Sequence, residues 1–198
     1  MTDKTDTEKY AEEIQNFLDC NSLCSLIKSI GDKLNSDANK FEKSNFIDMA
    51  FAEYSNNRFS LVDEVGYDIK DTYYGRKLEI KSLYEGFRRK DGEYKKSISI
   101  ILRNSRGKKL DKLPKTFDYL ILVTVDEIIM VSHQDITSNI GHKLKYTDST
   151  VELSIDPSKA TLIHKIDYDN IKDCDFDYIN SKKELQLKFI RDIKSQNN

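Results

Sequence analysis

The chain has 198 residues, of which 33% are charged and 38% hydrophobic, and its formal net charge is −2. This size and composition suit one folded domain, and no segment approaches the ~20 uninterrupted apolar residues of a membrane helix. The polar N-terminus, MTDKTDTEKY, lacks the apolar core of a secretion signal, so we expect a single cytoplasmic domain over residues 1–198.

Residues 1–58 are predicted to be mainly helical. Apolar residues recur there at three- and four-residue spacing, the period of an amphipathic helix. They are Tyr10, Ile14, Leu18, Leu23, Ile27 and Ile30, followed by Phe46, Ile47, Ala50, Phe51 and Tyr54. Asn56 and Asn57 end the last helix of this region. The odd number of cysteines (Cys20, Cys24 and Cys174) and the lack of a CxxC pair predict reduced, structural thiols rather than a zinc site.

Residues 59–180 are predicted to form a sheet core, because the apolar period changes to two. Tyr67 and Ile69 alternate with polar residues, as do Leu78 and Ile80, and the segment DTYYG between them predicts a hairpin turn. Further strands are predicted over residues 96–102, 117–125, 128–131, 145–146 and 151–155. Of these, FDYLILVTV is almost continuously apolar, which is typical of a strand buried on both faces.

A closing helix is predicted within residues 181–198, since the segment KKELQLKFIRDIK over 182–194 is amphipathic. The order of helices, strands and a last helix predicts the fold class α/β (α+β). A mixed central β-sheet would be flanked by helices.

The predicted hairpin carries two carboxylates and a lysine. Glu79 and Lys81 are two apart in a strand, so their side chains share one face. Asp68 lies across the hairpin, where its carboxylate could stand beside Glu79. Paired carboxylates favour a divalent cation such as Mg²⁺. A metal ion there, with the Lys81 ammonium, suits attack of water on a phosphodiester.

The bare pattern of an acid, any residue and a lysine occurs at Asp68, Glu79, Glu93 and Asp192. Only Glu79-Ile80-Lys81 is flanked by strand-forming apolar residues and preceded by a hairpin that carries another acid. The alternative is that these charges form an ordinary solvated strand face.

The arrangement resembles the PD-(D/E)XK nuclease superfamily, above all type II restriction endonucleases. The resemblance rests on the helix ending at Tyr54, Asp68, the tripeptide Glu79-Ile80-Lys81 and the buried strand that follows. Tyr67 departs from the proline that often precedes the first acid. The resemblance implies that Asp68, Glu79 and the Ile80 carbonyl bind Mg²⁺, and that Lys81 serves the attacking water.

Many members of the superfamily add an acid from the preceding helix, for which Glu53 is the candidate, with Glu64 as a weaker substitute. The alternative for Glu53 is an ordinary exposed glutamate near a helix end.

Basic residues are concentrated after the proposed active strand. Residues 76–115 carry a net charge of +9, and the rest of the chain −11, an asymmetry that suits a face meeting a polyanion. The candidates for contacts to DNA are Arg88, Arg89, Lys95, Lys96, Arg103, Asn104, Arg106 and Lys108. The turn from Arg103 to Arg106 has the chemistry for reading bases. A solvated basic loop is the alternative.

Restriction enzymes of this size are commonly homodimers acting on double-stranded DNA, and a cognate methyltransferase accompanies them. These expectations follow from the resemblance. Two other functions stay open: a structure-selective or repair nuclease of the same fold, similar to a junction resolvase, and a non-catalytic module that binds nucleic acid or protein.

Overall fold

A computed structural model describes residues 4–33, 40–64, 66–82, 98–103, 113, 115–124, 127–138, 141–146, 150–167 and 170. Several predictions therefore fall outside the described residues. They concern the closing helix over 182–194, Cys174, and seven candidates for DNA contacts: Arg88, Arg89, Lys95, Lys96, Asn104, Arg106 and Lys108.

The described part of the chain contains four α-helices, nine strands and one 3₁₀ helix. The helices are α1 (Asp6–Phe17), α2 (Cys20–Lys33), α3 (Lys40–Glu53) and α4 (His133–Thr137), and the 3₁₀ helix is Pro157–Lys159. The strands are β1 (Phe59–Glu64), β2 (Tyr67–Asp71), β3 (Lys77–Ser82), β4 (Ile98–Arg103), β5 (Tyr119–Val123), β6 (Glu127–Ser132), β7 (His142–Tyr146), β8 (Thr150–Ile155) and β9 (Thr161–Lys165).

Local sequence signals account for the helix ends. The Thr5 side chain accepts a hydrogen bond from the Glu8 N–H and the Glu8 carboxylate accepts one from the Thr5 N–H, which is the capping box that starts α1. After α3, Asn56 and Asn57 adopt positive φ values of 52° and 63°, a conformation that asparagine tolerates better than most residues. The helix α3 itself ends at Glu53, so the asparagine pair lies in the turn that follows the helix rather than at its last residue.

Six strands form a mixed sheet in the order β1-β2-β3-β5-β6-β9. The strands β3 and β5 run parallel, with Leu78 beside Tyr119 and Ser82 beside Val123, and the other neighbours run antiparallel. The prediction of an α+β fold with a mixed sheet and helices is confirmed. The strands β1 and β9 were not predicted.

Two apolar clusters lie on the two faces of this sheet, and β5 contributes to both. Ile121 and Val123 belong to the larger cluster with α1, α2 and α3. Leu120 and Leu122 belong to the smaller one, which includes Ile136 of α4 and residues of β8. Because β5 is covered on both faces, its last four residues, Leu120–Val123, are all apolar and buried.

A second sheet of three strands has the order β4-β8-β7. The strands predicted at 145–146 and 151–155 are present within β7 and β8, which pair antiparallel. The strand predicted at 96–102 is present as β4, but it pairs with β8 rather than with the central sheet. No helix among the described residues is long and apolar enough to cross a membrane.

Candidate cation site at the β2–β3 hairpin

The hairpin ladder stops at Asp68. Backbone pairing joins Ile69 with Leu78 and Lys70 with Lys77. One step further on, the N–H of Ile80 donates a hydrogen bond of 2.7 Å to Oδ2 of the Asp68 side chain. The carboxylate thus takes the place of a backbone acceptor between the two strands. Asp68 is the second residue of β2, and its position opposite the Glu79 region is as predicted.

The Lys81 ammonium lies where three oxygen groups meet. It forms an ion pair with the Glu79 carboxylate, donates a hydrogen bond of 3.1 Å to the Ile80 carbonyl, and stands 3.8 Å from Oδ2 of Asp68. Glu79 and Lys81 alternate along β3 with Leu78 and Ile80, which are buried in the larger core. The sequence-predicted residues Asp68, Glu79, Ile80 and Lys81 are therefore brought together around one positive charge.

A third carboxyl group comes from helix α3. Asp48 is only 8% exposed, and its Oδ1 has no hydrogen-bond partner among the described residues. The charges that act on its ionisation are those of Asp68, Lys81 and Glu79, so Asp48 belongs to the same cluster. Sequence reasoning missed this residue.

Burial raises the pKa of each of the three carboxyl groups in the cluster. Burial and the negative charges of Asp68 and Glu79 raise the pKa of Asp48 well above its ordinary value. Burial also raises the pKa of Asp68, against the opposing effects of Lys81 and the Ile80 N–H. The pKa of Glu79 is raised by burial and by Asp68, although Lys81 lowers it. Burial therefore favours the protonated form of all three carboxyl groups, and Lys81 offsets only part of this effect.

The pKa of Lys81 is also raised, which for an amine favours the charged form. Burial by itself lowers the pKa of this ammonium, but attraction to Glu79 and Asp68 outweighs it and the pKa is raised. The lysine is therefore held in its charged form, as a group must be if it is to offset negative charge during a reaction.

The donor set of the cluster fits a hard cation. Carboxylate and carbonyl oxygens are the ligands that Mg²⁺ prefers, and this ion commonly uses one or two carboxylates and completes its shell with water or phosphate. Among the described residues, no three His, Cys, Asp or Glu side chains already stand together as ligands. Asp68, Glu79 and the Ile80 carbonyl would suffice for an ion of this kind, with the Asp48 carboxyl beside them.

The structure does not bring Glu53 into the cluster. Glu53 is the last residue of α3 and is exposed. Glu53 is five positions after Asp48. At 3.6 residues per turn, this places the two side chains about 140° apart around the helix. The helix acid of the cluster is therefore Asp48 rather than Glu53. Glu64 is the last residue of β1, opposite Tyr67.

A buried ion pair fixes the other end of the hairpin. The Asp71 carboxylate at the end of β2 is fully buried and accepts hydrogen bonds from the Tyr10 hydroxyl at 2.7 Å and from Arg58 at 3.1 Å. The same side chain accepts the N–H of Tyr73 at 2.8 Å in the turn. These bonds tie the hairpin to α1 and so hold β2 and β3, which carry the cluster, in place.

The residues predicted to contact DNA cannot be related to the cluster, since all but Arg103 lie outside the described residues. Arg103 is the last residue of β4.

Comparison of the chain with protein-family models, with curated proteins and with solved structures found no match.

Proposed function

We propose that this protein is a Mg²⁺-dependent endonuclease that cuts double-stranded DNA, of the type II restriction endonuclease kind. One observation carries the proposal: the Asp68 and Glu79 carboxylates, the Ile80 carbonyl and the Lys81 ammonium meet where β2 and β3 part. The helix α3, the hairpin and the buried strand β5, on which the resemblance to PD-(D/E)XK nucleases rests, adjoin this point, and β5 pairs directly with β3.

Each residue has a role that follows from its contacts. Asp68 and Glu79 supply anionic oxygens with raised pKa values, so a cation near them relieves an existing charge imbalance. Lys81 supplies a fixed positive charge that can orient a water molecule and offset the charge developing on a phosphate. Asp48 adds a buried oxygen without a partner among the described residues, suited to bind a water molecule or the ion itself.

The metal would be held by Asp68, Glu79 and the Ile80 carbonyl, with Asp48 adjacent. Bound Mg²⁺ polarises a phosphate oxygen and lowers the pKa of coordinated water. The flexible Lys81 side chain, which now contacts the same oxygens, would keep its charge and turn toward the attacking water.

The test is cleavage of phage and plasmid DNA with Mg²⁺ and with EDTA, by the wild type and by Lys81→Ala. Lys70→Ala is the matched control, because Lys70 follows Asp68 at the same spacing but is exposed and belongs to the other strand of the hairpin. We expect discrete bands that require Mg²⁺, disappear in Lys81→Ala and persist in Lys70→Ala. Cleavage that survives in Lys81→Ala would refute the assigned site.

Two other outcomes would favour the alternatives. A smear with the same dependence on Mg²⁺ and Lys81, or selective cutting of branched DNA, would indicate a repair or structure-selective nuclease. Binding of DNA with no cutting of any substrate, unaffected by Lys81→Ala, would indicate a non-catalytic module. A homodimer and a cognate methyltransferase belong to the restriction proposal, and sedimentation of the protein with and without DNA tests the first of these.

A further inference from the structure

A second polar site lies at the start of β3, next to Arg76. It is a pocket of about 430 Å³, within the size range of small-molecule sites. Its walls include Tyr74 and Arg76 of the hairpin, Lys115 and Tyr119 at β5, and His133 and Gln134 at α4. None of these residues belongs to the cation cluster, which is built from Asp48, Asp68 and the later residues of β3.

Arg76 is the distinctive group of this pocket. Its guanidinium carbon lies over three tyrosine rings, 4.0 Å from the centroid of Tyr10, 4.8 Å from Tyr74 and 5.6 Å from Tyr119. Tyr10 is itself fixed by burial and by its hydrogen bond to Asp71. Ring contacts use the faces of a guanidinium and leave its N–H donors free.

Within the described part of the chain, the Arg76 guanidinium has no hydrogen-bond acceptor and no carboxylate partner. The nearby acid is engaged elsewhere: Asp118 accepts the N–H of Lys77 at 2.9 Å and lies 3.7 Å from the Lys115 ammonium. Arg76 is thus a pre-oriented cation with unused donors, and its planar fork matches the two oxygens of a phosphate.

Aromatic surface adjoins this cation. Tyr74 is 55% exposed and Tyr73 beside it is 76% exposed, although large aromatic side chains usually bury most of their area. The Tyr74 ring lines the pocket next to Arg76, and the Gln134 amide on another wall can both donate and accept hydrogen bonds. A ligand that combines an anion with a flat aromatic ring and polar edges would use all three features.

We propose that this pocket binds a nucleotide, with its phosphate on Arg76 and its base against Tyr74. The nucleotide is either a free nucleoside monophosphate or one unit of a nucleic-acid strand, and both present the same chemistry. The site does not depend on the proposed nuclease activity, because it needs neither the metal nor Lys81.

The experiment is calorimetric titration of the full chain in EDTA with deoxynucleoside 5′-monophosphates, with the same nucleosides lacking phosphate, and with inorganic phosphate. A 5′-phosphorylated tetranucleotide forms a further arm. We expect both monophosphates and the tetranucleotide to bind, more tightly than nucleosides or inorganic phosphate. Tighter binding of the tetranucleotide identifies a strand as the source, and equal or weaker binding identifies the free nucleotide.

Arg76→Gln should raise the Kd for nucleotide by about tenfold or more, since a charged bidentate contact is lost. Tyr74→Ala should also weaken binding, and thermal unfolding of this variant is measured beside it, because the ring also contacts Tyr10 and Arg58. Lys143→Gln removes an exposed positive charge on β7 and should change nothing. Asp68→Asn should bind nucleotide as the wild type does, whether or not the wild type cuts DNA.

The proposal is overturned if the wild type binds no nucleotide at roughly millimolar concentration. It is equally overturned if Arg76→Gln and Tyr74→Ala bind as tightly as the wild type, or if inorganic phosphate binds as tightly as the nucleotides.

Discussion

Replacing Asp48 by asparagine tests whether ionisation of this buried carboxyl group lowers the stability of the protein. The amide has nearly the same shape as the carboxyl group, but it does not ionise. It therefore removes the possibility of a negative charge at this position while it keeps a polar side chain there. Because the side chain is only 8% exposed, the substitution changes the charge of the cluster rather than the surface of the protein.

The direction of the effect follows from the raised pKa of Asp48, and its size is bounded by the linkage between protonation and folding. Between the unfolded-state pKa, about 3.9, and the higher folded-state pKa, the folded protein keeps a proton that the unfolded chain has released. Stability in this window therefore falls as pH rises, by at most about 1.4 kcal/mol per pH unit for one group. Asparagine does not ionise, so the free energy of unfolding of Asp48→Asn does not fall with pH for this reason. At about pH 8 and in EDTA we expect the variant to be more stable than the wild type, by up to about 1.4 kcal/mol for each pH unit that separates the two pKa values.

The assay is urea unfolding in EDTA at about pH 5 and about pH 8, where the free energy of unfolding is compared between the wild type and Asp48→Asn. Glu53→Gln is the control, since Glu53 is an exposed acid of the same helix and its replacement should change stability by less than about 0.5 kcal/mol. The gain from Asp48→Asn should grow with pH. If the variant is instead destabilised by a similar amount at both values, Asp48 serves the fold as a hydrogen-bonding group and the charge reasoning is wrong.

Four further tests, three by substitution and one by chemical modification, probe the structure beyond the cluster. Arg58→Met leaves the fully buried Asp71 without its cation and should cost about 3 to 5 kcal/mol of unfolding free energy by urea titration; a loss below about 1 kcal/mol would contradict the buried pair. Burial would raise the pKa of Asp71, but hydrogen bonds from Tyr10, Arg58 and the turn outweigh it and lower the pKa. The stability gained from ionisation of Asp71 is therefore present above about pH 4 and is lost as pH falls through the folded-state pKa. Acid titration of the wild type and of Asp71→Asn measures this loss. Gly66→Ala should destabilise by about 1 to 3 kcal/mol, because Gly66 has a φ of +99° and a Cβ there would lie 2.5 Å from Cβ of Thr116; an unchanged midpoint of thermal unfolding would count against this. Burial raises the pKa of Cys20 to about 11 and of Cys24 to about 12, so both thiols should react with a disulfide reagent only after unfolding, and rapid labelling of either in the native protein would refute their burial.

The β2–β3 hairpin was predictable because its information is local. Alternation of Leu78 and Ile80 with charged residues fixes which side chains share a face, and the turn residues fix where the strands reverse. What local pattern does not contain is the break in the ladder at Asp68. That break depends on the Asp68 side chain replacing a backbone acceptor for Ile80, and period-two alternation is the same with or without it.

The choice between Asp48 and Glu53 shows a different limit. The apolar positions of α3 form a stripe whose two edges carry these two acids, so helical periodicity does not distinguish them. Only the packing of α3 against β1 and β3 decides which edge turns toward the hairpin, and that packing is tertiary. The same holds for β4, whose strand pattern was visible but whose partner, β8, depends on long-range pairing.

The charge balance of the cluster connects its structure to its proposed chemistry. Asp48, Asp68 and Glu79 would together carry three negative charges if ionised, and Lys81 supplies one positive charge. Burial raises the pKa values of all three acids and so favours their protonated forms, which lowers the total negative charge of the cluster. A divalent cation would remove the same imbalance without protons, so proton and metal compete for one set of oxygens. A site whose only purpose was stability would be better served by apolar side chains. Three acids around one lysine, of which Asp48 and Glu79 are buried, fit the proposed binding of a cation better.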